Sequence, residues 1–176
     1  MTQTKASLTN CSGVVSFAQS KDHVFIAFYA SNKLTCERYS YELVKKADIC
    51  QFPTDYPSGH HMVMRDEEVI IIDNSSYSYN LRIYDFSGNQ IRSVRLPNSS
   101  TQLCLLPKNH VLLRDTNAYI VKYDITSSEA VRVWSSNKKY SSVSTDNARI
   151  CYCNPYAYKT TQMIDLFDSE LTSGTK

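Results

Sequence analysis

The sequence predicts an all-β chain of four repeats, each built from four short antiparallel strands. Three observations predict it: a dipeptide that recurs at the end of each third strand, apolar runs that recur at nearly the same interval, and no stretch with convincing helical spacing. The first is plain in "LRIYDFSGNQIRSV", where an apolar strand ends in Tyr84-Asp85, a Ser-Gly-Asn turn follows, and a second alternating strand begins. "YIVKYDITSSEAVRV" repeats that order around Tyr123-Asp124. Along the whole chain the dipeptides read Tyr39-Ser40, Tyr84-Asp85, Tyr123-Asp124 and Ile164-Asp165. The apolar runs before them are anchored at Val24, Val69, Val111 and Ile150, and both series step by about 40 to 45 residues.

Each unit divides in the same way. In the first, "VVSFAQS" and "HVFIAFYA" are the first two strands, "CERYSYEL" holds the third, and "YELVKKADI" occupies the fourth-strand position. The second reads "HHMVMRD", "EVIIID", "NLRIYDF" and "QIRSVRL". Its continuous run predicts burial on both faces, whereas the alternating third strand predicts one wet face. The third reads "TQLCLLP", "HVLLRD", "AYIVKYDI" and "AVRVW". The fourth opens with "SSVSTD" and "ARICYCN", continues through "TQMIDLFD", and leaves only the polar "SELTSGTK" for a last strand. Residues 1–10 are therefore expected to supply that strand and close the set.

Four-stranded units at this interval look like β-propeller blades. Gly59-His60, followed after a short stretch by Tyr84-Asp85, resembles the GH and WD spacing of WD repeats, with Tyr in place of Trp. The resemblance to divergent WD-repeat-like blades covers nearly the full length. It implies a single domain over 1–176, with repeats at roughly 11–52, 59–97, 100–136 and 140–169 and a closing strand within 1–10. A β-sandwich or jelly roll is the competing all-β reading. Four blades fit a compact ring, half of an eight-blade ring made by two copies, or part of a longer propeller. An incomplete ring that needs more chain or a partner is the expectation, because most propellers have more blades.

Composition excludes several function classes. With 176 residues, 42% hydrophobic and 20% charged, the chain is an ordinary globular protein able to bury roughly 70% of its unfolded surface. A net charge of +2 without long charge runs argues against nucleic acid or an acidic membrane as partner. No apolar run approaches the roughly 20 residues of a membrane helix, and "MTQTKASLTN" lacks a secretory apolar middle, so a cytoplasmic protein is expected. The six cysteines, Cys11, Cys36, Cys50, Cys104, Cys151 and Cys153, are then reduced thiols that pack as small hydrophobes. Sequons at Asn10, Asn74 and Asn98 matter only in a secreted chain.

No motif asks for catalysis, cofactor or metal. His23 and His110 stand at equivalent positions before a second strand, which predicts a repeated structural role. His60 and His61 are neighbours on a strand and point to opposite faces. Cys151 and Cys153 share one side of a strand, but zinc needs two further ligands at suitable spacing. "RDEE" at 65–68 reads as a solvated turn, and only 4 glycines leave little for a phosphate-cradling loop.

The tyrosines are the informative feature. Connections from second to third strand, and from unit to unit, emerge on one common side of such sheets. They carry Tyr56, Tyr77, Tyr79, Tyr140, Tyr156 and Tyr158, while the opposite turns "SKD", "RDEE", "PKN" and "STD" carry no aromatic. Tyr beside Ser and Asn combines apolar area with a hydrogen-bonding end, which suits recognition. The expected function is a non-enzymatic interaction or scaffold module that binds a peptide or protein through this Tyr-rich side. The first alternative is a structural set of blades that completes a propeller with another chain or copy. The second is an enzyme or small-ligand receptor working in a central channel.

Overall fold

A computed structural model describes residues 11–53, 62–74, 79–96, 98, 100–106, 109–115, 119–127, 130–135, 142–145, 149–153, 164–168 and 174–175. These residues form only strands and turns, arranged as four four-stranded antiparallel sheets in which each strand pairs with its chain neighbour. The first sheet contains β1 (Cys11–Gln19), β2 (His23–Ala30), β3 (Lys33–Ser40) and β4 (Lys45–Pro53). The second contains β5 (Met62–Arg65), β6 (Glu68–Asp73), β7 (Asn80–Asp85) and β8 (Gln90–Arg95). The third contains β9 (Ser100–Leu105), β10 (His110–Asp115), β11 (Tyr119–Asp124) and β12 (Ala130–Ser135). The fourth contains β13 (Ser142–Thr145), β14 (Arg149–Cys153), β15 (Ile164–Asp168) and the short β16 (Gly174–Thr175). The chain divides into two compact units, Met1–Pro97 and Asn98–Lys176, with two sheets in each.

Strand register makes the repeat exact enough to compare position by position. One row across each sheet reads Gln19, Val24, Tyr39, Lys45 in the first and Met64, Val69, Tyr84, Gln90 in the second. It continues as Leu105, Val111, Tyr123, Ala130 in the third and Thr145, Ile150, Phe167, Gly174 in the fourth. The fourth member of the dipeptide series is therefore Phe167-Asp168, not Ile164-Asp165. Asp168 faces Arg149 as Asp124 faces His110 and Asp85 faces Glu68. The last strand also departs from expectation, because β16 comes from the polar C-terminal stretch and pairs Leu166 with Thr175 and Phe167 with Gly174. Pairing of two residues draws on backbone groups alone, so side-chain polarity is no obstacle. Residues 1–10, the expected closing strand, lie outside the described residues.

The Tyr-Asp dipeptide recurs because each half has its own work. Tyr39, Tyr84 and Tyr123 are buried on the third strands. Asp85 accepts from the Ser87 and Asn89 amides at 2.8 and 2.9 Å and from Asn89 Nδ2 at 2.8 Å. Asp124 repeats this with the Thr126 amide at 2.7 Å and its hydroxyl at 2.5 Å. An acceptor side chain thus folds the hairpin turn locally in both sheets. Gly88 has a φ of 91°, and a side chain there would meet the Asp48 carbonyl oxygen at 2.6 Å.

In the N-terminal unit the two sheets pack face to face. Phe25, Ala27, Tyr29, Leu34, Cys36, Ile49, Cys50 and Phe52 of the first sheet meet Met62, Val69, Ile71 and Tyr84 of the second. β1 lies beside β5, and β4 approaches β7. Burial of each large apolar side chain contributes about 1.5–3 kcal/mol. The run Val69–Ile72 is wholly buried, so both faces of β6 are covered as its continuous hydrophobicity predicts. Cys36 and Cys50 pair across β3 and β4 as free thiols, and the Cys36 thiol donates to Met62 Sδ at 3.5 Å. A hydrogen bond with Cys50, followed by burial, holds the Cys36 thiol well above its usual range. In the C-terminal unit β9 lies beside β13.

Candidate binding loop and the ionic network at its root

Of the six tyrosines expected on the recognition side, the described residues include Tyr79. Tyr56, Tyr77, Tyr140, Tyr156 and Tyr158 lie outside them, as do Gly59, His60 and His61. Tyr79 is half-buried immediately before β7, and its carbonyl accepts from the Leu96 amide at 2.7 Å. That bond ties the return of the β6–β7 connection to the end of β8. The connection leaves β6 through Asp73 and Asn74, both buried.

Asp73 ends an apolar run, and its carboxylate is fully buried. Arg82, on the neighbouring β7, donates through Nε to Asp73 Oδ2 at 2.7 Å and approaches the same oxygen through Nη2 at 2.7 Å. Its Nη1 donates to Gln90 Oε1 at 3.2 Å, which also accepts from the Tyr84 hydroxyl at 3.3 Å. The guanidinium lies 5.1 Å over the Phe52 ring of the first sheet. Partial burial works against the charge on Arg82, but the Asp73 hydrogen bond and charge outweigh it and raise its pKa. Burial, then the neighbouring Cys50, pushes Tyr84 up to about 12. A buried carboxylate with a planar, stacked partner fixes geometry at the loop's root. Sequence reasoning missed this network, although the Asp that interrupts "EVIIIDN" and the Arg between apolar neighbours in "NLRIYD" were its visible signs.

On the opposite side the "RDEE" turn is polar as expected. Tyr41 of the β3–β4 turn, however, is 49% exposed there and donates its hydroxyl to the Ser20 carbonyl in the β1–β2 turn at 2.5 Å, so that side does carry an aromatic. Arg65 donates to Glu68 through Nε at 3.0 Å and through Nη2, while Asp66 and Glu67 are exposed. Asp66 takes a positive φ of 50°, a turn conformation open to Asp. His23 packs edge-on against Phe25 and Phe86, with centroids 6.4 and 6.3 Å away, which gives it the structural role its position predicts. Among the described residues, no group of three His, Cys, Asp or Glu is placed to hold a metal ion. No helix among them is long and apolar enough to cross a membrane. Asn74, in one of the sequons, is buried.

No family model and no curated protein matches the chain. Among solved structures it is similar to the crystal structure of the computationally designed Ika4 protein. The match has a TM-score of 0.65 at 16% identity and covers 96% of this chain and 99% of that one. A likeness at such low identity is one of fold. The chain is thus an all-β protein of repeated antiparallel four-stranded sheets.

Proposed function

We propose that this chain is a propeller-like, non-enzymatic interaction module, and that Tyr56, Tyr77, Tyr79, Tyr140, Tyr156 and Tyr158 form its face for a peptide or protein. The observation that carries the proposal is how the described ends of the β6–β7 connection are held. Asp73 is fully buried and paired with Arg82, which stacks on Phe52, and half-buried Tyr79 is tied through its carbonyl to the Leu96 amide. Aromatic contact area held on a rigid base loses little entropy on binding. The blade reading is supported by the neighbouring first strands, β1 beside β5 and β9 beside β13, as in a fan of sheets.

A phage-displayed peptide library selected on the immobilised chain tests the proposal. Selected peptides are rebound to a variant with Tyr77, Tyr79, Tyr156 and Tyr158 all changed to Ser. The expected result is lost binding with an unchanged circular-dichroism spectrum. Full binding by the folded variant, or no peptide enriched at all, overturns it.

A further inference from the structure

Three sulfur atoms meet between the two sheets of the N-terminal unit. Cys36 on β3 and Cys50 on β4 are register partners, so their side chains rise side by side on one face of the first sheet. The two thiols are hydrogen-bonded to each other. Met62, on β5 of the second sheet, brings its Sδ to 3.5 Å from Cys36 Sγ across the interface. All three belong to one buried cluster, with Cys36, Cys50 and Met62 at 0%, 9% and 5% exposure.

The repeat shows that strand pairing of this kind does not itself call for sulfur. The register positions of Cys36 and Cys50 hold Leu81 and Val94 in the second sheet, and Ile120 and Trp134 in the third. Met62 has Phe17 and Leu103 as its counterparts in the first and third sheets. Apolar residues without sulfur thus serve at these equivalent positions, and the sulfurs are gathered where three strands converge. Around them the cluster is apolar, with Phe25, Leu34, Phe52 and Val69 among its members. The neighbouring carboxylate, Glu37, is already engaged by the Tyr39 hydroxyl and by Lys45.

We infer that Cys36, Cys50 and Met62 form a binding site for a soft monovalent metal ion of the cuprous kind. Two thiols and a thioether are the donors such an ion selects, whereas magnesium, calcium and manganese take oxygen. Structural zinc takes four ligands, and a thioether is not among its usual ones. Metal–sulfur bonds of about 2.3 Å set three sulfurs around one ion roughly 4 Å apart. Small side-chain rotations open the 3.5 Å contact of Cys36 and Met62 to that spacing. Each thiol that binds gives up its proton, and the apolar surroundings keep water from competing for the ion. The inference uses the N-terminal unit alone and stands apart from the peptide-binding proposal.

Anaerobic titration of the full chain with cuprous ion against the chelator bathocuproine disulfonate tests it, followed by X-ray absorption at the copper edge. The parent is expected to retain an ion bound by three sulfurs. Met62→Leu nearly conserves core volume and removes the thioether, so the ion should keep two sulfurs. Its affinity should fall by at least the roughly tenfold that losing even an outer-sphere partner costs. Cys50→Ala, on the outer strand of its sheet, should abolish retention and decides the case in which Met62→Leu fails to fold. Cys151 and Cys153 are closely spaced thiols elsewhere in the sequence, and changing both to Ser should leave the three-sulfur ion in place. Complete loss of copper from the parent to the chelator overturns the inference. So does full affinity in folded Met62→Leu or Cys50→Ala, or loss of the ion from the Cys151 and Cys153 variant.

Discussion

The first and second sheets of the N-terminal unit present the same face under different conditions. In the second, Met62, Val69 and Ile71 lie beneath the first sheet and are shielded from water. In the first, Phe17, Val24 and Ile26 hold the same register positions with no such cover over Phe17. The residue types barely differ, so hydrophobicity alone does not decide which row becomes core. The neighbouring sheet decides. In a stack of repeats each interface stabilises both members, and a terminal face is either capped by polar residues or completed by another surface. The first sheet is polar at Glu37 and Lys45 and apolar at Phe17, so it is capped over only part of its width.

The sharpest way to break the comparison is to shorten the two rows in turn. Ile71→Ala removes methyl groups from a closed interface and should cost about 2–5 kcal/mol of unfolding free energy. Ile26→Ala, in the half-buried row, should cost about 1 kcal/mol. Urea denaturation reads both. Equal losses would mean that the two faces are covered alike and would remove the contrast.

A smaller effect sharpens the comparison at the turns, where the second and third sheets agree. The Thr126 hydroxyl and amide hold Asp124 down to about 2, and the Asn89 side chain and amide hold Asp85 below its usual range. Because the folded pKa is depressed, the contribution is fully present above the unfolded value of about 3.9. It is lost as pH falls from there toward the folded value. Asp124→Asn keeps an acceptor oxygen but loses the charge and cannot titrate, so it should lower the midpoint at neutral pH slightly and flatten the loss below about pH 4. An acid limb identical to that of the parent would show that the turn carries no such linkage.

Much of the fold was legible because strands write their environment into short stretches. "EVIIID" announced a strand buried on both sides, and Tyr-Asp marked the end of a third strand, where the structure adds a buried ring and a turn acceptor. The repeat slipped only at its last member. Ile164-Asp165 and Phe167-Asp168 are both apolar–Asp pairs, and hydrogen-bond register alone separates them. The two-residue β16 was hidden for a similar reason, since backbone pairing leaves no side-chain signature. The loop foundation and the exposure of Phe17 depend on what lies across a sheet interface. Arg82 reads as a wet residue of an alternating strand until Asp73 and Phe52 are seen beside it. Phe17 reads as core until its exposure is seen.

The contrast between the two rows is tested most directly by methyl NMR with a soluble paramagnetic agent, recorded on the intact chain. The Ile71 methyls are predicted to stay shielded while the Ile26 methyls bleach. Equal shielding of Ile26 and Ile71 would contradict the account.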